Sequence, residues 1–471
     1  MAFDVGPVAR ELLALDTGDP RPLHEQLEQS LRAAIRSGRL APGARLPSTR
    51  VLSVELGISR GVVTAAYGQL GAEGYVITRQ GAPVRVSDAI RGGQTRPSAR
   101  TLERDFAYDL RPGLPDLAGF PRHHWQRSLS AAWRRAPATR LGELDPRGTP
   151  ELRGALAEHL DRIRGTVADP ELLLVCTGFA QGLSLTCRWL RSHGIDRLAV
   201  ENPGWHQHRL IAEQAGLATV AVAVDADGLD VDALEASGAA AVVTTPAHHF
   251  PTGAVLARER RAALLQWAER HDRLIIEDDY DTEFRFDGVA VGALQGLAPE
   301  RVLHIGSASK RLAPGLRLGW MLLPSWLTWP LISAKSIEDR GSEVLGQLAL
   351  ADLITRGEFD RHVRRMRLRY AQRRRALLAA LRAHVPAARL DEDPAGLFEV
   401  LHLPAGLDEP ALLAAAARRG VGLEGLSWHR STSGGPAGLL AGYANLSESA
   451  LAQAVRKLAD AVEEVGGEGR A

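Results

Sequence analysis

Residues 306–320, GSASKRLAPGLRLGW, close the short apolar run RVLHIGS (301–307) and carry it into a turn rich in small polar residues. Lys310 stands just past the run, with Ser307 three residues before it and Arg317 seven after. The same pattern, a brief apolar run ending in polar residues, recurs upstream. It appears in LLLVCTG (172–178), RLAVE (197–201), ATVAVAV (218–224), AAVVTTP (240–246) and RLIIEDD (273–279). Helical segments such as 257–271 lie between several of these runs. Strands apolar on both faces and separated by helices predict a mostly parallel sheet in an α/β domain.

Ligands of an open α/β sheet collect at the carboxyl ends of its strands. That rule selects Gly178, Glu201–Trp205, Asp278–Tyr280 and Ser307–Lys310. CTGFAQG (176–182) ends a strand and opens a helix, so its backbone N–H groups can hold a phosphate. In IIEDDYDTEF (275–284) side chains alternate, putting Asp278 and Tyr280 on one side and Glu277 and Asp279 on the other. An acid and a phenol at one strand end can clamp a heterocycle. A lysine among hydroxyl residues can form a Schiff base with a carbonyl, and a nearby arginine can neutralise a phosphate. Only three lysines occur, Lys310, Lys335 and Lys457, so any lysine chemistry has few candidates. Ser307 to Lys310 also reads S-x-x-K, but the K-T-G that acyl-serine enzymes need is missing. His206/His208 and His248-His249 lack a converging Cys/Asp/Glu set, so no metal is expected.

Toward the amino end, residues 20–88 read as a separate unit. Leu23, Leu27, Leu31, Ala34 and Ile35 have helical spacing after Pro22. A short helix Thr49–Leu56, a turn Gly57-Ile58-Ser59 and a longer helix Arg60 to Ala72 have the spacing of a helix-turn-helix. GYVITRQGAPVRV then predicts a hairpin placed like a wing around Gln80-Gly81. Arg50, Ser59, Arg60 and Thr64 are the candidate DNA contacts, with Arg45, Arg79, Gln80 and Gly81 as further ones. Residues 89–104 are polar, without apolar periodicity, and read as a linker. Residues 105–466 form the α/β domain, in which the arginine-rich stretch 361–382 is a long helix. Its Val363, Met366, Tyr370 and Leu377 are expected to face inward.

Composition narrows the class. The chain has 471 residues, a formal charge of +1 and only two cysteines, which excludes a disulfide framework. Residues 1–104 hold fourteen arginines against ten acids, a modest hint of an anionic partner. No stretch approaches a membrane span, and MAFDVGPVARELLALD lacks the basic start and apolar run of a signal peptide. A cytoplasmic location is the expectation.

GSASKRLAPGLRLGW, IIEDDYDTEFRFDG, TTPAHHFPTG (244–253), ENPGW (201–205) and LLAGYANLSE (439–448) closely resemble fold-type I pyridoxal-phosphate (PLP) proteins of the aminotransferase superfamily. With the winged helix-turn-helix text from Leu46-Pro47-Ser48 ahead of them, residues 22 to 465 resemble MocR-type regulators of the GntR family. The resemblance implies an N-terminal winged helix-turn-helix joined to an aminotransferase-like domain with a smaller C-terminal α/β segment. It implies that Lys310 forms the Schiff base to PLP, that Asp278 pairs with the pyridine nitrogen, and that Tyr280 reaches the ring's 3-oxygen. Trp205 would stack on the ring, and Gly178, Phe179, Ala180, Ser307 and Arg317 would hold the phosphate.

The sequence also departs from that pattern. Phe179 and Ala180 stand where a polar residue is common, and Phe250 replaces the Asn that aminotransferases carry before PTG. Residues 431–454 contain no arginine to bind a substrate carboxylate; Arg430 is the nearest basic group. The expectation is a homodimeric, PLP-binding transcription regulator acting on operator DNA, sensing PLP or a small amine or amino acid. The alternative is an active aminotransferase carrying a DNA-binding domain.

Overall fold

The computed structural model describes residues 15–16, 18–78, 82–88, 106–142, 144–288, 291–390, 395–404, 406–432 and 434–468. The chain divides into two compact units, Met1–Arg104 and Asp105–Ala471. The linker read at 89–104 lies outside the described residues, as do Arg79, Gln80 and Gly81, the residues expected at a wing tip.

In the first unit, α1 (Leu23–Arg36) buries Leu27, Leu31, Ala34 and Ile35, the stripe its periodicity predicts. α2 (Thr49–Leu56) starts where the Ser48 hydroxyl accepts from Val51 N, and stops at Gly57, whose φ of 67° suits a residue without Cβ. α3 (Arg60–Ala72) is capped by Ser59, which accepts from Val62 N, and buries Val63, Ala66, Tyr67 and Leu70. These close a core of their own with the α1 stripe and Leu52. β1 (Val76–Ile77) and β2 (Arg85–Val86) pair antiparallel as the base of the wing.

The second unit is built on an eight-stranded sheet. Its strands are β4 (Leu173–Cys176), β5 (Arg197–Asn202), β6 (Ala218–Asp225), β7 (Gly228–Leu229), β8 (Ala241–Thr244), β9 (Leu274–Asp279), β10 (Val302–Ser307) and β11 (Gly319–Leu322). The order is β4-β11-β10-β9-β8-β5-β6-β7. The five strands β10, β9, β8, β5 and β6 run parallel, while β11 lies antiparallel between β10 and β4. The apolar runs read from the sequence each become a strand. β11 was not among them: four residues of GWMLL directly after a turn carry too short an apolar pattern to stand apart from the motif before them.

Alternation along the strands splits the core. Leu274 and Ile276 of β9 and Leu303 and Ile305 of β10 pack with Leu183, Leu185 and Leu190 of α5 (Phe179–Ser192). Ile275 and Val302 pack on the other face with Leu264 and Trp267 of α7 (Arg258–Arg270). This parity fixes which way Asp278 and Asp279 point. β3 (Tyr108–Asp109) pairs with β14 (Val421–Gly422) and ties the start of this unit to its smaller C-terminal segment. That segment is a four-stranded antiparallel sheet, β12 (Arg389–Leu390), β13 (Phe398–His402), β16 (Gly438–Gly442) and β15 (Glu424–Gly425). No helix among the described residues is long and apolar enough to cross a membrane.

The numbering of helices follows the chain: α4 (Pro150–Arg164) precedes α5, α6 (His206–Gln214) precedes α7, and α8 (Glu358–His384) is the long arginine-rich helix. Val363, Met366, Tyr370 and Leu377 are buried as expected. Asp360 fastens α8 to α4 through His159 Nδ1 at 3.3 Å and Arg162 Nη2 at 2.7 Å. The hydrogen bond from His159 pulls the Asp360 carboxyl from 3.8 down to about 2. A lowered carboxyl pKa stabilises the fold above the unfolded value and loses that contribution as pH falls through the folded one. With solvent screening at this partly exposed pair, Asp360→Asn is therefore expected to cost about 1 kcal/mol at pH 7 and almost nothing near pH 2. Urea melts at the two pH values check this.

Candidate functional site

The carboxyl ends of β4, β9 and β10 converge on a cavity of about 240 Å³. Gly178, Phe179, Ala180, Trp205, Asp278, Tyr280, Ser307, Lys310 and Arg317 all line it. These nine, drawn from five separate stretches of sequence, are the cofactor-binding candidates.

One end of the cavity suits a phosphate. Gly178 caps α5 with φ 123° and ψ −179°, a conformation that L side chains rarely adopt. No side chain caps this helix, so the first N–H groups of Phe179 and Ala180 keep their capacity to donate. A Cβ at position 178 would lie 3.8 Å from Arg317 Nη1, which sets the guanidinium beside the helix start. The Arg317 guanidinium has no ion-pair or hydrogen-bond partner among the described residues, while its backbone, at a left-handed φ of 51°, donates to the Pro314 carbonyl at 3.2 Å. A helix N-terminus with an unpaired arginine beside it fits a dianion.

The middle suits a flat, basic ring. Asp278 is 8% exposed, and burial raises its carboxyl pKa against the opposing pull of His208, whose Nε2 lies 3.1 Å away. Tyr280 points the same way, its hydroxyl 2.9 Å from His248 Nδ1, and that nitrogen is 3.0 Å from Asp281 Oδ1. Trp205, half-buried, meets Phe179 at 6.1 Å between ring centres and offers an aromatic face. On the other side of β9, Glu277 accepts from Leu294 N and Gln295 N, and Asp279 pairs with Arg164 at 2.8 Å and His304 at 3.0 Å. The alternation read from IIEDDYDTEF holds at each of the four positions.

Lys310 closes the set. Its Nζ donates to the Gly113 carbonyl at 2.6 Å. A Cβ on Gly113 would come within 2.7 Å of that amine and displace it, and the φ of 84° there itself favours glycine. Burial lowers the lysine pKa, partly offset by Asp281, Asp278 and Glu424. A desolvated amine keeps a larger neutral fraction near neutral pH, the form that adds to a carbonyl. Lys335, in contrast, holds Asp339 at 2.8 Å and Ser342 at 3.1 Å, engaged in structure.

Several residues here escaped the sequence reading. In sequence His208 and His248 read only as candidate metal ligands; in the fold they are the hydrogen-bond partners of Asp278 and Tyr280. Glu424, Gly113 and Phe398 also line the cavity. Each arrives from a distant stretch, and only an i, i+3 offset of His208 from Trp205 placed one of them near a known candidate. No group of three or more His, Cys, Asp or Glu able to hold a metal occurs among the described residues. Arg430 donates to the Pro436 carbonyl at 2.6 Å and does not line the cavity.

In the first unit, Arg45, Arg50, Ser59, Arg60 and Thr64 are all exposed. The Ser59 hydroxyl caps α3, Arg60 Nε donates to Thr49 Oγ1 at 3.2 Å, and the Thr64 hydroxyl donates to the Arg60 carbonyl at 2.9 Å. Arg50 at the start of α2 and Arg60 at the start of α3 thus stand on two adjacent helix N-termini.

Comparison with known proteins matches both units. Residues 23–86 match the family of bacterial regulatory proteins called gntR, and residues 118–422 match aminotransferase class I and II. The chain is 33% identical to the probable rhizopine catabolism regulatory protein MocR of Rhizobium meliloti, over 96% of each chain. It is 32% identical to the HTH-type pyridoxine biosynthesis transcriptional regulator PdxR of Corynebacterium glutamicum, over 96% of this chain and 98% of that one. Among solved structures, an archaeal alanine:glyoxylate aminotransferase superposes with a TM-score of 0.70 at 27% identity, covering 76% of this chain and 91% of the other. The α-aminoadipate aminotransferase LysN of Thermus thermophilus gives 0.71 at 25% identity, over 79% and 96%.

Proposed function

This chain belongs to the MocR-type regulators of the GntR family, and from that premise we propose that it is a DNA-binding transcription regulator whose aminotransferase-like unit binds PLP as its sensing group. The observation that carries the reading is the convergence of the nine candidates on one cavity, among them the Arg317 guanidinium without a side-chain partner and the half-buried Lys310. The residues fit the group at each point: N–H donors and a guanidinium for a phosphate, a carboxylate for a pyridine nitrogen, a phenol for the 3-oxygen, an indole for the ring face. When bound, PLP supplies an aldehyde and an electron-withdrawing ring. Lys310 would hold the aldehyde carbon, Asp278 would keep a proton on the ring nitrogen, and His208 would orient Asp278. Trp205 and Phe179 would exclude water from the ring.

The lack of an arginine on β16 or elsewhere in 431–454 favours sensing over turnover, because a substrate carboxylate would lack its usual partner. PLP itself is the signal we favour, with a small amine or amino acid as the alternative effector. A homodimer acting on paired half-sites, in the cytoplasm, completes the reading.

The test is an absorbance titration of the purified protein with PLP and then with a panel of amines and amino acids, with keto-acid release followed in parallel. A saturable visible band with PLP and no sustained keto-acid release is the expected result. Steady release at enzyme-like rates would make the protein an aminotransferase instead.

A further inference from the structure

A second cavity, of about 250 Å³, opens on the side of β9 to which Asp279 points, between α4, α8 and the segment after β9. Its lining carries Arg164, Arg285, Arg364 and Arg367 against two carboxylates, Glu283 and Asp360. Both acids are already matched by cations outside the lining: Glu283 by Arg311 at 2.6 Å and Asp360 by Arg162 at 2.7 Å. Arg164 and Arg285 likewise have acids outside it, Asp279 at 2.8 Å and Asp287 at 2.5 Å. The surplus is therefore Arg364 and Arg367. They are exposed, one turn apart on α8, and have no ion-pair partner among the described residues. Deeper in, Arg164 is 4% exposed and its Nη2 has no hydrogen-bond partner among the described residues, an arrangement that costs free energy unless something accepts from it. Ile163, Phe359 and Val363 give the cavity an apolar wall.

Two unneutralised guanidiniums, a buried N–H without an acceptor and an apolar wall describe a receptor for an anion with a carbon body. We propose that this cavity binds a small organic dianion, a phosphate monoester or a dicarboxylate, at a site separate from the PLP pocket. Its walls reach that pocket. Arg311, which holds Glu283, also donates to the Ser307 carbonyl at 2.6 Å, and Arg164 holds Asp279 beside Asp278. A ligand accepting from Arg164 Nη2 would place a second anion on the guanidinium whose Nε holds Asp279, and so would weaken that pair beside Asp278. The binding itself does not depend on the PLP reading; the coupling does.

The experiment is calorimetric titration of the full-length protein, saturated with PLP, with glycerol 3-phosphate and separately with succinate. One site per chain is expected for at least one of the two anions, and which one binds assigns the class. Arg364→Ala/Arg367→Ala, both on the surface, is expected to weaken that site at least about tenfold. Arg375→Ala, exposed on the same helix but outside the lining, is expected to leave it unchanged. No heat from either anion at millimolar concentration would overturn the proposal. So would binding that survives the double substitution and disappears in Arg317→Ala, which would assign the anion to the PLP pocket. If the protein takes no PLP but still binds the anion through Arg364 and Arg367, this proposal stands and the cofactor reading falls.

Discussion

Lys310→Ala is expected to abolish the visible absorbance that PLP gives with the wild-type protein, while Lys335→Ala and Lys457→Ala retain it. Position and environment both argue for this. Lys310 is the one lysine of the three that lines the cavity, between Asp278 on one strand and Ser307 on the next. Its amine is desolvated, which lowers the cost of the neutral form that bonds to an aldehyde. Lys335 carries an ion pair to Asp339, so its loss is expected to lower stability without removing the band. Non-covalent binding through Arg317 and the α5 N-terminus should persist in Lys310→Ala, so equilibrium dialysis would still find PLP bound, more weakly. A retained visible band in that variant would remove Lys310 from its assigned role.

Arg60→Ala is expected to weaken operator binding by about 1–3 kcal/mol if the side chain reads a base edge. Its place at the exposed first turn of α3, held by Thr49 of α2, is where a recognition helix meets the groove. If it holds a phosphate instead, affinity falls evenly across sequences and the salt slope shrinks by about one. Anisotropy titrations on operator and scrambled duplexes over a salt series separate the two. Ser59→Ala is a useful comparison, because its hydroxyl caps α3 and its loss acts on helix stability first. Unchanged binding in Arg60→Ala would take that residue out of the interface.

Much of the site could be read from sequence because strands impose a rule of two. IIEDDYDTEF places Asp278 and Tyr280 together by parity alone, and buried Glu277 and Asp279 do fall on the far face. Lys310 was legible through its rarity and its position after a strand. The helix-turn-helix was legible through Ser48, Gly57 and Ser59, residues that start and stop helices by local hydrogen bonding and φ. What stayed hidden depends on packing between distant segments. Nothing near His208 or His248 in sequence reveals that each will meet a strand-end residue some thirty to seventy positions away. Gly113 gives no local sign that it will receive the Lys310 amine. β11 was hidden because its four residues follow a turn too closely to show an apolar pattern of their own, and its antiparallel place between β4 and β10 is a matter of sheet order, which periodicity does not encode. The second cavity was hidden because a run such as RHVRRMRLRYAQRRR reads as a solvated face until the partners of each arginine are known.

A sensing unit transmits only if its ligand favours one DNA-binding arrangement over another, and linkage makes that preference reciprocal. The measurement that tests the proposed function most directly is operator affinity of the full-length protein, determined without PLP, with PLP, and with PLP plus amines and amino acids. With PLP as the signal, PLP alone should shift operator affinity by about 1–3 kcal/mol, roughly 5- to 150-fold, and saturating operator should shift PLP affinity by the same factor. Lys310→Ala should lose most of that shift. Equal operator affinity with and without PLP, in a protein whose visible band shows the cofactor bound, would contradict PLP as the signal, and a shift appearing only with one amino acid would transfer that role to the amino acid.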